Sequence, residues 1–299
     1  MSAALVDIVR HHAEVNLTRD VTSFTPIPGL TIIREMGPTA LQYAVSKPLV
    51  ALLLQGNKRV TLGSESLDFG AGESLVIAAD IPTVSQITRA SVAAPYFSIV
   101  FDLDAAIIEG LMVDMGSPAP AAAVTSSVHV DATEADVADT ALRLLRLLDR
   151  PASLAVLHRQ LFRELHFWLM SGRHGTAIRG LGVTNGHAQR IGRAVSIIRE
   201  NYAKPLRLEC LAEAAGMSIS SFHEHFRAIT SLTPLQFQKQ MRLIEARRMM
   251  LADGATVSSA AYTVGYESVT QFTREYGRLF GMSPARDIRQ AQDRMRSAA

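Results

Sequence analysis

The segment Gly216-Met217-Ser218-Ile219-Ser220-Ser221-Phe222-His223-Glu224-His225-Phe226-Arg227 decides the fold of the last third of this chain. Its pattern returns as Gly265-Tyr266-Glu267-Ser268-Val269-Thr270-Gln271-Phe272-Thr273-Arg274-Glu275-Tyr276. Leu208, Leu211, Ala212 and Ala215 lead into the first glycine; Val257, Ala260, Ala261 and Val264 lead into the second, at an offset of 49. After the turn the offset is 50 (Ser218 to Ser268, Phe222 to Phe272, Pro234 to Pro284), so the second turn is one residue longer. A repeat of this period signals a duplicated supersecondary unit.

Each copy reads as helix, tight turn, helix. The glycine permits a left-handed exit from the first helix. The alanines let two helices cross closely. Ser218 and Ser268 stand where an N-cap is needed. The pairs Phe222/Phe226 and Phe272/Tyr276, four residues apart, pin the second helix to a core. Its other face then carries Ser220, His223, Glu224 and Arg227 in copy one, and Thr270, Gln271, Thr273 and Arg274 in copy two. This is the helix-turn-helix arrangement, whose second helix enters the DNA major groove. Between the copies, Thr233-Pro234 predicts an N-cap with proline at the first helical position, opening a helix that runs to Gly254. About 20 residues make a rod of ~30 Å, close to the ~34 Å between successive major grooves on one face of B-DNA.

Charge follows the same division. Residues 190–299 hold 16 Lys and Arg against 10 Asp and Glu, a net of +6, while the rest holds 14 against 18, a net of −4. A basic end on an acidic body suits a polyanionic partner. The chain has 299 residues, enough for two domains. Its 48% hydrophobic content excludes wholesale disorder. The apolar run Leu49–Leu54 is far shorter than the roughly 20 residues of a spanning helix. The N-terminus MSAALVDIVRHH carries no charged region ahead of a long apolar stretch, so the expected compartment is the cytoplasm, with no membrane partner and nucleoid association when DNA is bound. The lone Cys210 excludes an internal disulfide and a Cys-built zinc site.

Upstream, residues 1–20 read as helical. From Thr31 to Asp102, short apolar runs alternate with turns: Thr31–Arg34, Val50–Leu54, Arg59–Leu62, Ser66–Phe69, Ser74–Ala78, Val84–Thr88 and Tyr96–Phe101. Such spacing predicts a β-sandwich or small barrel, and the length of Leu49–Leu54 favours a strand. Helical periodicity takes over at Ala105–Met115, Thr133–Asp149 (with Thr133 as N-cap) and Ser153–Met170, separated by a Pro-containing loop at Gly116–Thr125. The stripe Val137, Ala141, Leu144, Leu145 and Leu148 is either a dimer seam or a helix packed on the β-region. Five glycines in residues 171–186 predict a flexible linker. The expectation is therefore an α+β protein: a domain over 1–170, a linker over 171–186, and an all-α tandem helix-turn-helix domain over 187–299.

Over residues 189–290 the chain resembles the AraC/XylS family of bacterial transcription regulators. The first motif block above carries the resemblance, with Ser231-Leu232-Thr233-Pro234-Leu235-Gln236-Phe237-Gln238-Lys239-Gln240-Met241-Arg242-Leu243, Val264-Gly265-Tyr266-Glu267-Ser268, Gln271-Phe272-Thr273-Arg274-Glu275-Tyr276 and Phe280-Gly281-Met282-Ser283-Pro284. The phrases Leu54-Gln55-Gly56-Asn57-Lys58 and Ala94-Pro95-Tyr96 are similar to a subfamily with an AraC-type sensor domain. The resemblance implies a cupin-like N-terminal β-barrel with packed helices that binds a small effector and forms a homodimer. It also implies a regulator, more commonly an activator, that binds double-stranded promoter DNA and works with RNA polymerase. The eight residues on the second-helix faces are the implied base readers, since Arg reaches guanine, Gln adenine, Ser and Thr either base edges or phosphate, and Glu cytosine. Arg193, Lys239, Arg242 and Arg278 are candidate phosphate contacts. Arg34, Gln55, Lys58, Arg59, Gln86, Arg89 and Tyr96 are the candidate effector contacts in the β-region.

No catalytic constellation is legible. None of the nine histidines falls between residues 30 and 102, where a metal-dependent cupin enzyme needs a cluster. The expectation is no enzyme activity, no metal and no cofactor, with His158 and His166 packed on one helix face and Cys210 an inert thiol. Two rivals stay open: an enzyme fused to a DNA-binding module, and an architectural DNA binder without an effector.

Overall fold

The structure, a computed structural model, describes residues 3–16, 22–62, 65–116, 127–183 and 186–297. The chain divides into two compact units, residues 1–192 with 228–231, and residues 193–227 with 232–299.

The first unit opens with helix α1 (Ala3–Asn16) and nine strands: β1 (Thr22–Phe24), β2 (Leu30–Glu35), β3 (Gln42–Ser46), β4 (Leu49–Gln55), β5 (Asn57–Leu62), β6 (Glu65–Gly70), β7 (Glu73–Ile77), β8 (Ile81–Arg89) and β9 (Tyr96–Asp102). Then come α2 (Ala105–Asp114), β10 (Val128–Ala132), α3 (Ala135–Arg146), α4 (Pro151–Ser171) and α5 (Gly175–Leu181). Antiparallel pairing orders the strands β1-β2-β9-β4-β7-β10 in one sheet and β3-β8-β5-β6 in a second. No ladder joins the two sheets among the described residues, so the cupin-like body is an open sandwich.

Strand β4 explains its own sequence. It lies between β9 and β7, and both of its faces are buried, which removes any need for polar alternation. Val50, Leu52 and Leu54 face a core shared with the helices: Leu5 and Val9 of α1, Ile108 of α2, Val137, Ala141, Leu144 and Leu145 of α3, and Leu165 and Leu169 of α4. Ala51 and Leu53 face the second sheet, joining Val60, Leu62, Phe69, Leu75, Ile77, Ile81 and Ile87. The α3 stripe is thus helix core within this chain.

Several expectations shift. Thr133 does not cap α3; Glu134 precedes that helix without a side-chain cap, and the Thr133 hydroxyl lies 2.7 Å from Ser74 Oγ, tying β10 to β7. The stretch read as a flexible linker carries α5, and two of its glycines, Gly175 and Gly182, allow close packing. A Cβ on Gly175 would sit 1.9 Å from the Met170 carbonyl oxygen, and one on Gly182 would sit 2.7 Å from Ile108 Cγ2. Strands β3 and β10 were not anticipated. Most of the Gly116–Thr125 loop lies outside the described residues. Among the described residues, no helix is long and apolar enough to cross a membrane.

Helices α6 (His187–Glu200), α7 (Leu208–Ala214), α8 (Ile219–Thr230), α9 (Pro234–Ala252), α10 (Val257–Thr263), α11 (Val269–Phe280) and α12 (Pro284–Ser297) follow. The core of the second unit gathers Ala194, Val195 and Ile198, both alanine-rich first helices of the repeats, and Phe222, Phe226, Phe237, Phe272 and Tyr276, each wholly buried or nearly so.

Candidate functional site

The two turns of the repeat are built alike. After α7, the Met217 N–H bonds to the Ala212 carbonyl (2.9 Å) and the Gly216 N–H to the Glu213 carbonyl (2.7 Å). After α10, Tyr266 N–H bonds to Ala261 (3.0 Å) and Gly265 N–H to Tyr262 (3.0 Å). Both are Schellman closures with glycine in the left-handed region, φ 59° at Gly216 and 88° at Gly265. The next helices start on serine caps: Ser218 Oγ accepts from Ser221 N–H (3.3 Å) and Ser268 Oγ from Gln271 N–H (3.4 Å). Rings hold the buried faces, with Phe222 and Phe226 5.4 Å apart, Phe226 edge-on to Phe237 at 5.6 Å, and Phe272 and Tyr276 5.5 Å apart. Between the copies, Thr233 and Gln236 form a complete capping box at the start of α9, with Pro234 in the first turn.

The faces opposite those rings are open. Ser220, Glu224 and Arg227 are exposed on α8 with His223 half-buried beside them; Thr270, Gln271 and Arg274 are exposed on α11 with Thr273 half-buried. Arg227 and Arg274 make no hydrogen bond or ion pair among the described residues, so each helix presents an unpaired guanidinium. An N-terminal helical turn and unpaired cations together form a surface suited to anionic backbone and base edges.

The candidate phosphate contacts separate. Arg278 is exposed. Arg193 is exposed too, although its Nε donates to the Ala214 carbonyl (3.1 Å), fastening α6 to the end of α7. Lys239 pairs with Glu275 Oε1 at 3.1 Å. Arg242 is an internal strut: its guanidinium donates to the carbonyls of Tyr202 (2.6 Å), Ala203 (3.1 Å), Lys204 (3.0 Å) and Gly265 (3.0 Å). Burial lowers its pKa, and four carbonyl acceptors keep it charged in place. The expectation of a solvent-facing phosphate contact is therefore corrected at Arg242, and at Lys239 the ammonium is already engaged.

Sequence reading missed Glu275, a hub of contacts on α11. It accepts from Lys239, from the Tyr266 hydroxyl (2.8 Å) and from Gln271 Nε2 (3.3 Å). Burial pushes its carboxyl up, but the bonds from Tyr266, Lys239 and Gln271 outweigh that and hold it below the usual carboxylate value. One candidate base reader, Gln271, is thereby oriented from behind. The i, i+4 spacing of Gln271 and Glu275 was the available signal.

The candidate effector contacts also scatter. Arg34 lies on the helix side of β2, its guanidinium reaching the Ala13 carbonyl (3.4 Å). Arg59 is on the outer face of β5, paired with Asp68 at 2.9 Å. Gln55 donates to the Pro95 carbonyl (2.6 Å) and Gln86 to the Thr39 carbonyl (2.9 Å), both closing strand ends or edges, while Arg89 is exposed. Only Lys58 and Tyr96 share faces with the residues between the sheets: Lys58 alternates with Val60 and Leu62 along β5, and Tyr96 belongs to that core.

Comparison with known proteins follows this geometry. Residues 26–177, half of the chain, match the family described as the AraC-type transcriptional regulator N-terminus. Residues 211–290 match a helix-turn-helix domain. The chain belongs to the family of AraC-type transcriptional regulators. It is 31% identical over 112 residues to the HTH-type transcriptional activator RhaS of Salmonella schwarzengrund (strain CVM19633), a stretch covering 38% of this chain and 40% of that protein. It thus spans about two fifths of the length of the curated relatives it matches. Among solved structures, the apo form of a point variant of ToxT from Vibrio cholerae superposes with a TM-score of 0.57 at 8% identity, covering 89% of this chain and 98% of that one. Wild-type ToxT bound to an unsaturated fatty acid gives a TM-score of 0.54 at 8% identity, covering 87% and 93%. These likenesses support the two-part architecture.

Proposed function

We propose that the chain is a sequence-specific DNA-binding transcription regulator, acting as an activator, whose first unit binds a small effector. The observation that carries this reading is the twinned turn: two Schellman closures, two serine caps and two helices with open polar faces bearing unpaired arginines. In this reading Ser220, His223, Glu224 and Arg227 face one major groove, and Thr270, Gln271, Thr273 and Arg274 another. Arg193 and Arg278 meet phosphates. Lys239 and Arg242 act through position, the first by way of Glu275 and the second by bracing the turn at Gly265. Residues 1–170 serve as the effector-sensing part and 187–299 as the DNA-binding part. A homodimer on promoter DNA, contact with RNA polymerase, residence in the cytoplasm and nucleoid, and the lack of a catalytic role belong to the same reading.

Effector control requires that the ligand bind the DNA-competent arrangement with an affinity different from the other. The test is genome-wide mapping of bound sites followed by footprinting. A shared sequence motif upstream of a small set of operons is expected. Nearly equal protection of unrelated sequences would mark an architectural binder and overturn the reading.

A further inference from the structure

Glu275 is the one acidic residue of α11 and stands one turn after Gln271. Its side chain is 14% exposed. Oε1 accepts from Lys239 Nζ of α9 (3.1 Å) and from Gln271 Nε2 (3.3 Å), and Oε2 accepts from the Tyr266 hydroxyl (2.8 Å). Tyr266 is itself fixed. It is buried, meets Phe272 edge-on at 5.3 Å, and has the Arg242 guanidinium 6.0 Å from its ring centre. Gln271 is exposed, and its Oε1 makes no hydrogen bond among the described residues.

The bonds to Lys239 and Tyr266 explain Glu275 as a brace between α9 and the turn before α11. The bond to Gln271 has a further, directional consequence. A glutamine amide can present either end, since its oxygen and nitrogen have nearly the same shape. An ionised carboxylate only accepts, and its donors keep Glu275 ionised near neutrality. Turning the amide over would set Gln271 Oε1 against a carboxylate oxygen, acceptor against acceptor. The nitrogen is therefore held toward Glu275 with one N–H engaged. One N–H and the carbonyl oxygen remain. In the major groove adenine offers an acceptor at N7 and a donor at N6, which suit that pair. Guanine offers acceptors at both N7 and O6, so one of them would face the carbonyl oxygen.

We infer that Glu275 is a positioning residue for base recognition: by holding the Gln271 amide in one orientation, it makes α11 accept adenine and reject guanine at one base pair. The inference deepens the regulator reading and rests on Gln271 as a base reader. Holding the amide in place before DNA arrives also removes part of the ordering cost of a long, exposed side chain. The first copy lacks this device. Ser221 stands where Gln271 does, fifty positions earlier, and a hydroxyl both donates and accepts.

The test selects bound duplexes from a randomised DNA library with the full chain and compares four proteins: wild type, Glu275→Gln, Gln271→Ala and the double variant. In wild type, adenine is preferred over guanine roughly tenfold or more at the position Gln271 reads. Gln271→Ala identifies that position by removing the preference there. Glu275→Gln keeps the side-chain shape but puts an amide, which can donate or accept, behind Gln271; the amide is then free to turn, and guanine approaches parity with adenine at that position alone. In the Gln271→Ala background the same substitution changes nothing further there, a result that a merely structural brace would not give. An unchanged profile in Glu275→Gln, a loss spread over all positions, or an equal effect with and without Gln271 overturns the inference. If Glu275→Gln does not fold, NMR of the nitrogen-labelled Gln271 amide in the DNA-free wild-type chain decides. One of its two protons is shifted downfield by the carboxylate; a pair like that of an ordinary exposed glutamine overturns the inference. If wild type selects a motif that Gln271→Ala leaves intact at every position, the inference falls and the regulator reading stands. If wild type selects no motif, the regulator reading itself falls.

Discussion

His166 shows how a single ring can tie two elements and set a pH limit. Its Nε2 accepts from the Asp104 N–H (3.0 Å), so Nδ1 carries the proton and donates to the Phe162 carbonyl (2.8 Å). Protonating Nε2 would break the bond at the cap of α2. Burial lowers the ring's pKa below its ordinary 6.5 and outweighs the bond to Phe162 and the nearby Asp104 charge, which act the other way. The unfolded chain therefore binds more protons below about pH 6.5, and the contribution of this ring is fully present above that value and lost as pH falls through it. Melting temperature measured from pH 7.5 down to 5 is expected to decline, and His166→Gln to flatten the decline; parallel curves would remove the ring from the account. A second residue-scale prediction concerns Ser231. It sits in the left-handed region at φ 61°, fifty positions before Gly281, which occupies the same place in copy two at φ 74°. Ser231→Gly should relieve backbone strain and raise stability by about 0.5–1 kcal/mol in a denaturant melt. If Arg274 reads bases as proposed, Arg274→Ala should weaken DNA binding by about 1–3 kcal/mol and relax the preference at one or two base positions. A uniform loss across all sequences would instead make Arg274 a phosphate contact.

Elements in the second unit are joined by pairings that span long stretches of chain. Asp287 at the start of α12 is 2% exposed, takes both Nε (2.6 Å) and NH2 (3.1 Å) of Arg247 from α9, and accepts the Tyr276 hydroxyl of α11 (2.7 Å). Burial and this carboxylate together push the Tyr276 phenol's pKa up, so the phenol stays a donor. Three helices meet on one carboxylate. Asp287→Ala strands a buried guanidinium and should cost about 3–5 kcal/mol, read as the shift of the second unit's unfolding transition. The same pairings explain what sequence could and could not reveal. The repeat was legible because its signals are local: a glycine after the last turn, a serine before the next, two rings four residues apart. The pairings of Lys239 and Arg242 were not legible because their partners lie between 23 and 40 residues away and nothing near them announces it. Strand β4 was legible as an apolar run, whereas β3 is an edge strand with every position half-buried or exposed, and β10 reads His129-Val130-Asp131 through its middle. Edge strands need no apolar alternation, so they leave no pattern to find. Among the candidate effector contacts, alternation with Val60 and Leu62 along β5 sets Lys58 on the face between the sheets.

At the scale of the whole molecule, the proposed regulator gives the acidic first part and the basic second part different partners, and thermodynamics links them. Electrostatic binding to DNA releases counterions, so the affinity of the full chain for any duplex must fall steeply with salt, about 0.9 log unit per tenfold change for each phosphate neutralised. Sequence preference, carried by base contacts, should survive that rise better than affinity does. An effector enters the same balance only through differential binding: if it strengthens the grip on promoter DNA by some factor, the DNA must tighten the effector by the same factor. The factor for such couplings is typically between about 5 and 150. Effector affinity is therefore to be measured by calorimetry on the full chain alone and again on its promoter complex, at one salt concentration and one pH. The ratio of the two constants should equal the ratio of DNA affinities with and without effector. A ligand that binds equally well in both states can shift nothing, however tightly it is held, and a ratio of one would make the first unit's ligand a passenger.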